Sequence, residues 1–137
     1  AVDPASGQVE IANAGHPPTY LLRSGQVQEI EMPSPPLGTL GHRFPSRRLA
    51  LEPNDVLLWL SDGLIEAVDR RGEVFGFQRV RATLEAAQLG GPPSPEEAKR
   101  ALLEAVVSHT ADGGSLDDDL TVVVLSWDGH GATPDAD

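Results

Sequence analysis

Polar and apolar residues alternate along the first third of the chain, which is the period-two signature of half-buried β-strands. Residues 8–12 show this alternation, and residues 19–22 and 27–30 are further strand segments. The Ser24-Gly25 pair between the last two segments has turn chemistry. We therefore predict that the three segments form a hairpin meander.

Two further strands are predicted before the middle of the chain. Residues 47–51 form the first, and residues 56–60 form a mostly apolar second one, which is typical of a central, buried strand. Residues 52–55 between them carry Pro and Asn in positions that suit a turn. Residues 32–41, which precede the pair, are rich in Pro and Gly and are predicted to be a loop.

Apolar residues then recur at helical spacing. One predicted helix is marked by Phe77, Val80, Leu84 and Ala87. A second begins after Ser94, which suits an N-cap because Pro follows it directly and Glu stands three residues later. Residues 121–127 are rich in β-branched side chains and predict a final strand. The predicted elements follow the order strands, helices and one final strand. This order indicates an α+β fold with an antiparallel sheet, not a βαβ repeat.

Length and composition suit a single globular domain. The chain has 137 residues, 39% of them hydrophobic, and no cysteine, which excludes a disulfide framework and a thiolate metal site. We predict one domain over residues 1–128 and a disordered tail over residues 129–137. No apolar run approaches the ~20 residues of a membrane span, and no signal peptide is visible. We therefore expect a cytoplasmic protein whose residues make no membrane contact.

The formal net charge of −11 argues against a nucleic-acid partner, because proteins that bind nucleic acid present a basic patch. The nearest candidates for such a patch are Arg43, Arg47, Arg48, Arg70 and Arg71. Solvated strand and turn residues are the simpler interpretation of these arginines. An acidic surface instead favours the accumulation of divalent cations.

The most informative segment is the end of the apolar strand, where Ser61-Asp62-Gly63 follows residues 57–60. A carboxylate at the end of a buried strand costs free energy unless it has a partner. A divalent metal is one such partner, since hard cations bind carboxylate oxygens. Gly63 would let the backbone turn sharply and leave space beside that carboxylate. The alternative is an aspartate that caps its own turn.

A second carboxylate group, Asp117-Asp118-Asp119, precedes the final apolar strand. Three adjacent carboxylates repel one another, so the run suits either bound cations or full solvation. A calcium loop of the EF-hand type is excluded, because residues 112–119 lack its alternating ligands, central Gly and terminal Glu. Considered alone, the run is most simply a solvated loop.

Three motifs, taken in order, say more than any one of them. Residues 12–18 read Ala-Asn-Ala-Gly-His-Pro-Pro, residues 60–67 read Leu-Ser-Asp-Gly-Leu-Ile-Glu-Ala, and residues 118–125 read Asp-Asp-Leu-Thr-Val-Val-Val-Leu. This set resembles the PPM-type metal-dependent protein serine/threonine phosphatases, specifically their SpoIIE-like (RsbU-like) bacterial branch. The resemblance extends from about residue 9 to residue 125.

The resemblance implies a β-sandwich of two antiparallel sheets with flanking helices and two Mn²⁺ or Mg²⁺ ions at one end. It implies that a metal-activated water hydrolyses phosphoserine or phosphothreonine on a protein, without a covalent enzyme intermediate. By motif position, Asp62 and Asp118 correspond to metal ligands, and Asp119 corresponds to a supporting group. Ser61 and Gly63 are expected beside the site. No catalytic group beyond the metal ligands is implied.

The upstream motif adds Asn13, Gly15 and His16 as residues near the site. In eukaryotic-type members of the family, an Asp beside the metal centre takes the position that His16 has here. Two interpretations of His16 are therefore open. It is either a histidine at the edge of the active site or a loop histidine that hydrogen-bonds its own turn.

Members of the family also carry an earlier motif, Asp-x-Ser-Gly-x-Gly, whose Asp binds both metals. Nothing before Val9 matches that motif, and Asp3 does not replace it. We therefore expect this chain to be the C-terminal part of such a domain, without its N-terminal strands and helices. We also expect it to bind metal weakly and to be inactive alone.

The resemblance implies a phosphoprotein substrate, for which a STAS-type anti-anti-sigma factor is the expected class, and an N-terminal sensor or regulatory domain in the full protein. Two alternatives come from other functional classes. One is a non-catalytic pseudophosphatase or interaction module, although the retained Asp62 and Asp118 argue against it. The other is an acidic cation-binding domain without phosphatase relatives, which accounts less well for the Ser-Asp-Gly strand end.

Overall fold

The structure is a computed structural model that describes residues 1–129. The strands of this part of the chain are β1 (Val2–Asp3), β2 (Gln8–Ala12), β3 (Thr19–Arg23), β4 (Gln26–Ile30), β5 (Ser46–Ala50), β6 (Asp55–Leu60) and β7 (Val122–Trp127). Its helices are α1 (Asp62–Glu66), α2 (Gly76–Ala87) and α3 (Pro95–Thr110). The predicted disordered tail lies outside the described residues except for Gly129.

The strands form two antiparallel sheets, which confirms the predicted fold class. One sheet has the order β1-β2-β5, and the other has the order β4-β3-β6-β7. All of the predicted strands and both predicted helices are present, with ends that agree within one or two residues. The predicted loop over residues 32–41 contains neither helix nor strand.

The predicted meander is wrong in one connection. β3 and β4 do form a hairpin, whose turn residues Ser24 and Gly25 have φ angles of 51° and 78°, as two-residue hairpin turns require. β2, however, pairs with β1 and β5 instead of β3. Residues 13–18 carry the chain from the smaller sheet to the larger one. Their two prolines lack the N–H groups that a continued ladder would need, which disfavours a hairpin at this point.

The two sheets pack face to face, and α2 and α3 cover the outer face of the larger sheet. The core between the sheets contains Val9, Ile11, Leu21, Ile30, Leu51 and Leu57. The core between the larger sheet and the helices includes Tyr20, Leu22, Val56, Leu58, Leu60, Val80, Leu84, Leu102 and Val106. β6 therefore contributes side chains to both cores, which explains its continuous apolar sequence.

Helix α3 begins with the predicted capping box. The Ser94 hydroxyl accepts a hydrogen bond from the Glu97 amide at 3.2 Å, and the Glu97 carboxylate accepts one from the Ser94 amide at 2.8 Å. The second of these hydrogen bonds is the main reason why the pKa of Glu97 lies below its ordinary value. None of the helices in residues 1–129 is both long enough and apolar enough to cross a membrane.

Two short elements were not predicted. β1 pairs with β2 through Val2 and Asp3, which precede the first strand that the alternation of polar and apolar residues predicts. α1 begins directly after β6, so the sharp turn predicted at Gly63 is wrong, because Gly63 lies inside a helix. Segments of two and five residues are too short to show a hydrophobic period, and this is why the pattern misses them.

A buried ion pair joins Asp55, the first residue of β6, to Arg23 at the end of β3. The Asp55 side chain is only 2% exposed, and its two carboxylate oxygens accept hydrogen bonds from Arg23 Nε at 3.1 and 3.0 Å. The Glu52 amide donates a further hydrogen bond to Asp55 at 2.7 Å, and an Arg23 terminal nitrogen donates to the Ala50 carbonyl at 2.8 Å. The sequence predicts Asp55 only as a turn residue, whereas the structure makes it the centre of a network that joins β3, β5 and β6.

Candidate metal centre

Asp62 lies at the end of β6, as predicted, but its side chain is exposed. It is the first residue of α1, and its Oδ1 accepts a hydrogen bond from the Gly63 amide at 3.1 Å. An exposed carboxylate is hydrated, so the predicted cost of burying Asp62 does not arise. The case for a metal at Asp62 therefore depends on what lies next to it.

Ser61 joins the end of β6 to the segment that leads into β7. Its amide donates to the Thr121 carbonyl at 3.0 Å, and the Thr121 amide donates to the Ser61 hydroxyl at 2.9 Å. The same hydroxyl donates to the Asp119 carbonyl at 3.0 Å. These three hydrogen bonds span about 60 residues of sequence and bring the Asp-Gly strand end against the acidic run.

Gly63 permits this close approach. A Cβ atom at Gly63 would lie 2.7 Å from the Asp119 carbonyl oxygen and 3.1 Å from Asp118 Cβ. Real Cβ contacts are longer than the first of these distances. The side of Gly63 that was predicted to be open space is therefore filled by the Asp118–Asp119 backbone. Asp62 and Asp118 thus lie on two segments in direct contact, although 56 positions separate them in the sequence.

We expect Gly63→Ala to push the Asp118–Asp119 segment away from α1. The added methyl group meets backbone atoms, which yield less easily than a flexible side chain, so we expect a loss of about 1–3 kcal/mol in the free energy of unfolding. This loss should exceed the gain of about 1 kcal/mol in helix propensity from replacing Gly by Ala. Urea denaturation measures the net effect.

Gly90→Ala is the matched control, since no atom lies within 4 Å of a Cβ atom built at Gly90 and its φ angle is not positive. We expect Gly90→Ala to leave stability within about 0.5 kcal/mol of the original. Equal denaturation midpoints for the two variants would show that the contact of Gly63 with the acidic run is not tight.

The acidic run itself is exposed at all three positions. Asp118 Oδ1 accepts a hydrogen bond from the Asp119 amide at 2.7 Å, and Asp119 offers its carbonyl to Ser61. Nearby, Gly114 packs so closely that a Cβ atom would lie 2.3 Å from the Val68 carbonyl oxygen. Reciprocal backbone hydrogen bonds of 3.1 and 3.2 Å between Val68 and Ser115 hold the turn that leads into the run.

The donor set at this junction fits a hard divalent cation only in part. Asp62 and Asp118 supply carboxylate oxygens, which are the ligands that Mn²⁺ and Mg²⁺ prefer. Over residues 1–129, however, no group of three or more His, Cys, Asp or Glu side chains converges as a metal site would require. Two carboxylates are fewer ligands than such an ion takes, so water or further groups would complete its coordination.

The loop over residues 13–18 is organised by Asn13. Its side-chain oxygen accepts from the His16 amide and its side-chain nitrogen donates to the His16 carbonyl, both at 2.8 Å. Ser34 donates to the Asn13 carbonyl at 2.6 Å. Gly15 has a φ angle of +79°, and a Cβ atom there would lie 3.0 Å from Pro36 Cα. A side chain at Gly15 would therefore strain the turn and crowd the neighbouring loop.

His16 hydrogen-bonds its own turn, and its place at the edge of an active site stays a prediction. Its Nδ1 lies 3.0 Å from the Pro17 carbonyl, so the ring hydrogen-bonds its own turn. The same exposed side chain lines a cavity of about 430 Å³ together with Asn13, Gly15 and Asp62. The structure thus brings the upstream motif to the strand end that carries Asp62.

Glu66 also lines this cavity and was not predicted as a site residue. It stands four positions after Asp62, and residues at that spacing lie on the same face of a helix. The relationship becomes visible only once α1 is known to be helical. Recognising Ser61 as an N-cap would have been the available sequence signal.

Comparison with known proteins gives a consistent result. The protein-family model for stage II sporulation protein E (SpoIIE) matches residues 1–128. Protein IcfG from Synechocystis sp. is 27% identical over 126 residues, which cover 90% of this chain and 19% of that protein. The chain therefore spans about a fifth of the length of this curated relative.

Two solved structures illustrate the similarity of fold. The RsbU and RsbW domains of Rv1364c from Mycobacterium tuberculosis match with a TM-score of 0.72 and 27% identity, over 94% of this chain and 35% of that one. The phosphatase domain of SpoIIE from Bacillus subtilis, presoaked with Mn, matches with a TM-score of 0.71 and 21% identity. That match covers 99% of this chain and 57% of the Bacillus chain, so the sandwich described above has the fold of part of that domain.

Proposed function

Because the chain belongs to the SpoIIE family, we propose that it acts in the metal-dependent hydrolysis of phosphoserine or phosphothreonine on proteins. The observation that best supports this function is the contact between the Asp62 strand end and the Asp118–Asp119 segment. Three hydrogen bonds of Ser61 and the absence of a side chain at Gly63 maintain that contact. A solvated loop would require neither feature.

In this proposal, Asp62 and Asp118 hold the metal ions through their carboxylate oxygens. When bound, Mn²⁺ or Mg²⁺ would supply a water acidic enough to attack phosphorus near neutral pH and positive charge beside the phosphoryl oxygens. Ser61, Gly63 and Asp119 position the two ligands through the contacts described above. Asn13 and Gly15 shape the neighbouring loop, and His16 lines the cavity beside Asp62.

The direct test is phosphate release from phosphoserine peptides by the protein as its gene encodes it. We expect hydrolysis that requires Mn²⁺ or Mg²⁺ and stops when a chelator is added. In the same assay, the 137-residue chain alone should show little turnover, and a Mn²⁺ titration should show weak metal binding, because its described residues contain no group of three or more metal-ligating side chains. Hydrolysis that persists in excess chelator would contradict the proposed function.

The substrate and partners are further parts of the proposal. A phosphorylated anti-anti-sigma factor of the STAS type is the proposed substrate, and an N-terminal sensor or regulatory domain in the full protein is the proposed regulator. The family membership and the match to a protein that contains RsbU and RsbW domains support both. A cytoplasmic location is proposed on the same basis.

A non-catalytic interaction module is the second candidate. It is favoured by one observation, namely that residues 1–129 contain no cluster of three metal-ligating side chains. Such a module would bind the phosphoprotein without releasing phosphate. Binding of a phosphopeptide that stays intact in saturating Mn²⁺ would identify it.

A further inference from the structure

The cavity beside Asp62 extends well away from the contact between Asp62 and the acidic run. The cavity has a volume of about 430 Å³. It is bounded by the 13–18 loop, the end of β4, α1 and the first turn of α2. Cavities of a few hundred cubic ångströms are typical of sites that take a small ligand or part of a larger one. Asp118 does not line this cavity, so the cavity lies to one side of the contact between Asp62 and the acidic run.

Phe77 gives this cavity an apolar wall. The helical spacing predicted Phe77 on the same face as Val80 and Leu84, and these two side chains are fully buried. Phe77 instead remains 45% exposed and lines the cavity together with Met32, which is half-buried. A large aromatic side chain left partly exposed in a concave site is a common feature of binding surfaces.

The charged groups of the cavity are mostly acidic. Glu31, Asp62 and Glu66 all line it, and His16 is its remaining ionisable side chain. Among residues 1–129, neither the Glu31 nor the Glu66 carboxylate has a hydrogen bond or an ion pair. An acidic group entering the cavity would meet these charges, which disfavours it. An uncharged apolar group would be repelled by neither carboxylate and would cover Phe77.

The spacing of residues along a substrate peptide determines which of its side chains could reach the apolar wall formed by Phe77 and Met32. Successive residues of an extended chain are spaced about 3.3–3.6 Å apart. A phosphorylated residue whose phosphate is held by cations bound at Asp62 would therefore place its immediate neighbours within the cavity. We propose that Phe77 and Met32 form a subsite for an apolar side chain within two residues of the phosphorylated serine or threonine. This inference rests on the proposed function and adds a substrate preference to it.

The test uses the full protein and a set of phosphoserine peptides. Leu, Ala or Glu is placed in turn at each of the two positions on either side of the phosphoserine, and p-nitrophenyl phosphate serves as a small reference substrate. At one or more of these positions we expect kcat/KM for Leu to exceed that for Ala by about tenfold, as a partly enclosed apolar pocket allows. Glu at the same position should give the lowest value.

Phe77→Ala should reduce the Leu-over-Ala ratio to within about twofold, whereas Phe77→Leu should keep most of it because the wall stays apolar. Met32→Ala is a second, independent variant in case Phe77→Ala unfolds, which circular dichroism would detect. Leu89→Ala is the matched control, because Leu89 is 89% exposed and does not line the cavity. It should keep both the ratio and the activity.

The possible failures are distinguishable. If neither p-nitrophenyl phosphate nor any peptide is hydrolysed in the presence of metal, the proposed function is wrong and the subsite with it. Metal-dependent hydrolysis with no apolar preference overturns the subsite alone. A preference for Leu over Ala that is unchanged in both Phe77→Ala and Met32→Ala also overturns the subsite alone.

Discussion

Asp62→Asn is expected to lower metal-dependent hydrolysis of a phosphoserine peptide by more than about 100-fold, since even the hydrogen-bonding partners of metal ligands are worth 10–100-fold. An amide cannot supply the negative charge that holds a divalent cation. Because the Asp62 side chain is exposed and, among residues 1–129, accepts a hydrogen bond only from the Gly63 amide, the change should leave the fold intact. Phosphate release, measured together with a Mn²⁺ titration and a urea denaturation curve, separates the loss of metal from the loss of structure.

The acidic run supplies a matched pair of controls. Asp118→Asn should behave like Asp62→Asn, because Asp118 lies in the segment that contacts α1. Asp117→Asn removes the same charge one position away and should leave activity within about twofold, since a single surface charge contributes little. Similar losses for Asp117→Asn and Asp118→Asn would mean that the run acts only through its total charge. Full activity of Asp62→Asn would remove Asp62 from the metal centre.

Arg23→Met is expected to have the largest effect on stability. It leaves the carboxylate of Asp55, whose side chain is 2% exposed, without its cationic partner. Breaking a buried ion pair by removing one member typically costs about 3–5 kcal/mol, because the remaining charge stays desolvated. A methionine fills much of the same volume, so the effect should reflect charge more than packing. Urea denaturation gives the change in the free energy of unfolding.

Two further variants test the origin of this loss. Arg70→Met is the control, since Arg70 is exposed and takes part in no ion pair within the described part of the chain, and it should change stability by less than about 0.5 kcal/mol. Combining Arg23→Met with Asp55→Asn removes the unpaired charge and should recover part of the loss. If the double variant is less stable than Arg23→Met alone, the hydrogen bond from the Glu52 amide to Asp55 matters more than the charge.

The regular elements could be predicted because each carries its own signal. β6 reads as a continuous apolar run since it is buried on both faces, and α3 begins at a capping box that is complete within four residues. The hydrogen bonds of the capping box lie within α3, and the apolar run of β6 depends only on which faces of that strand are buried. The two prolines after β2 mark the end of that strand but do not indicate which strand pairs with it, so β2 was predicted in the wrong sheet.

The candidate site likewise combines features that the sequence predicts with features that only the tertiary structure shows. The sequence by itself determined which residues we propose for the chemistry, because Asp62, Asp118 and the Asn13–His16 loop stand in motifs that are each local. Only the tertiary structure decided that Ser61 bonds to Asp119 across 58 positions, that Asp62 is exposed, and that Glu66 and Phe77 share a cavity with it. It likewise paired Arg23 with Asp55 across 32 positions. The period of the hydrophobic residues and the capping residues indicate only the type, the ends and the buried face of the helix or strand that contains them. Contacts between distant segments depend instead on how the two sheets and the helices pack, and no short stretch of sequence encodes that arrangement.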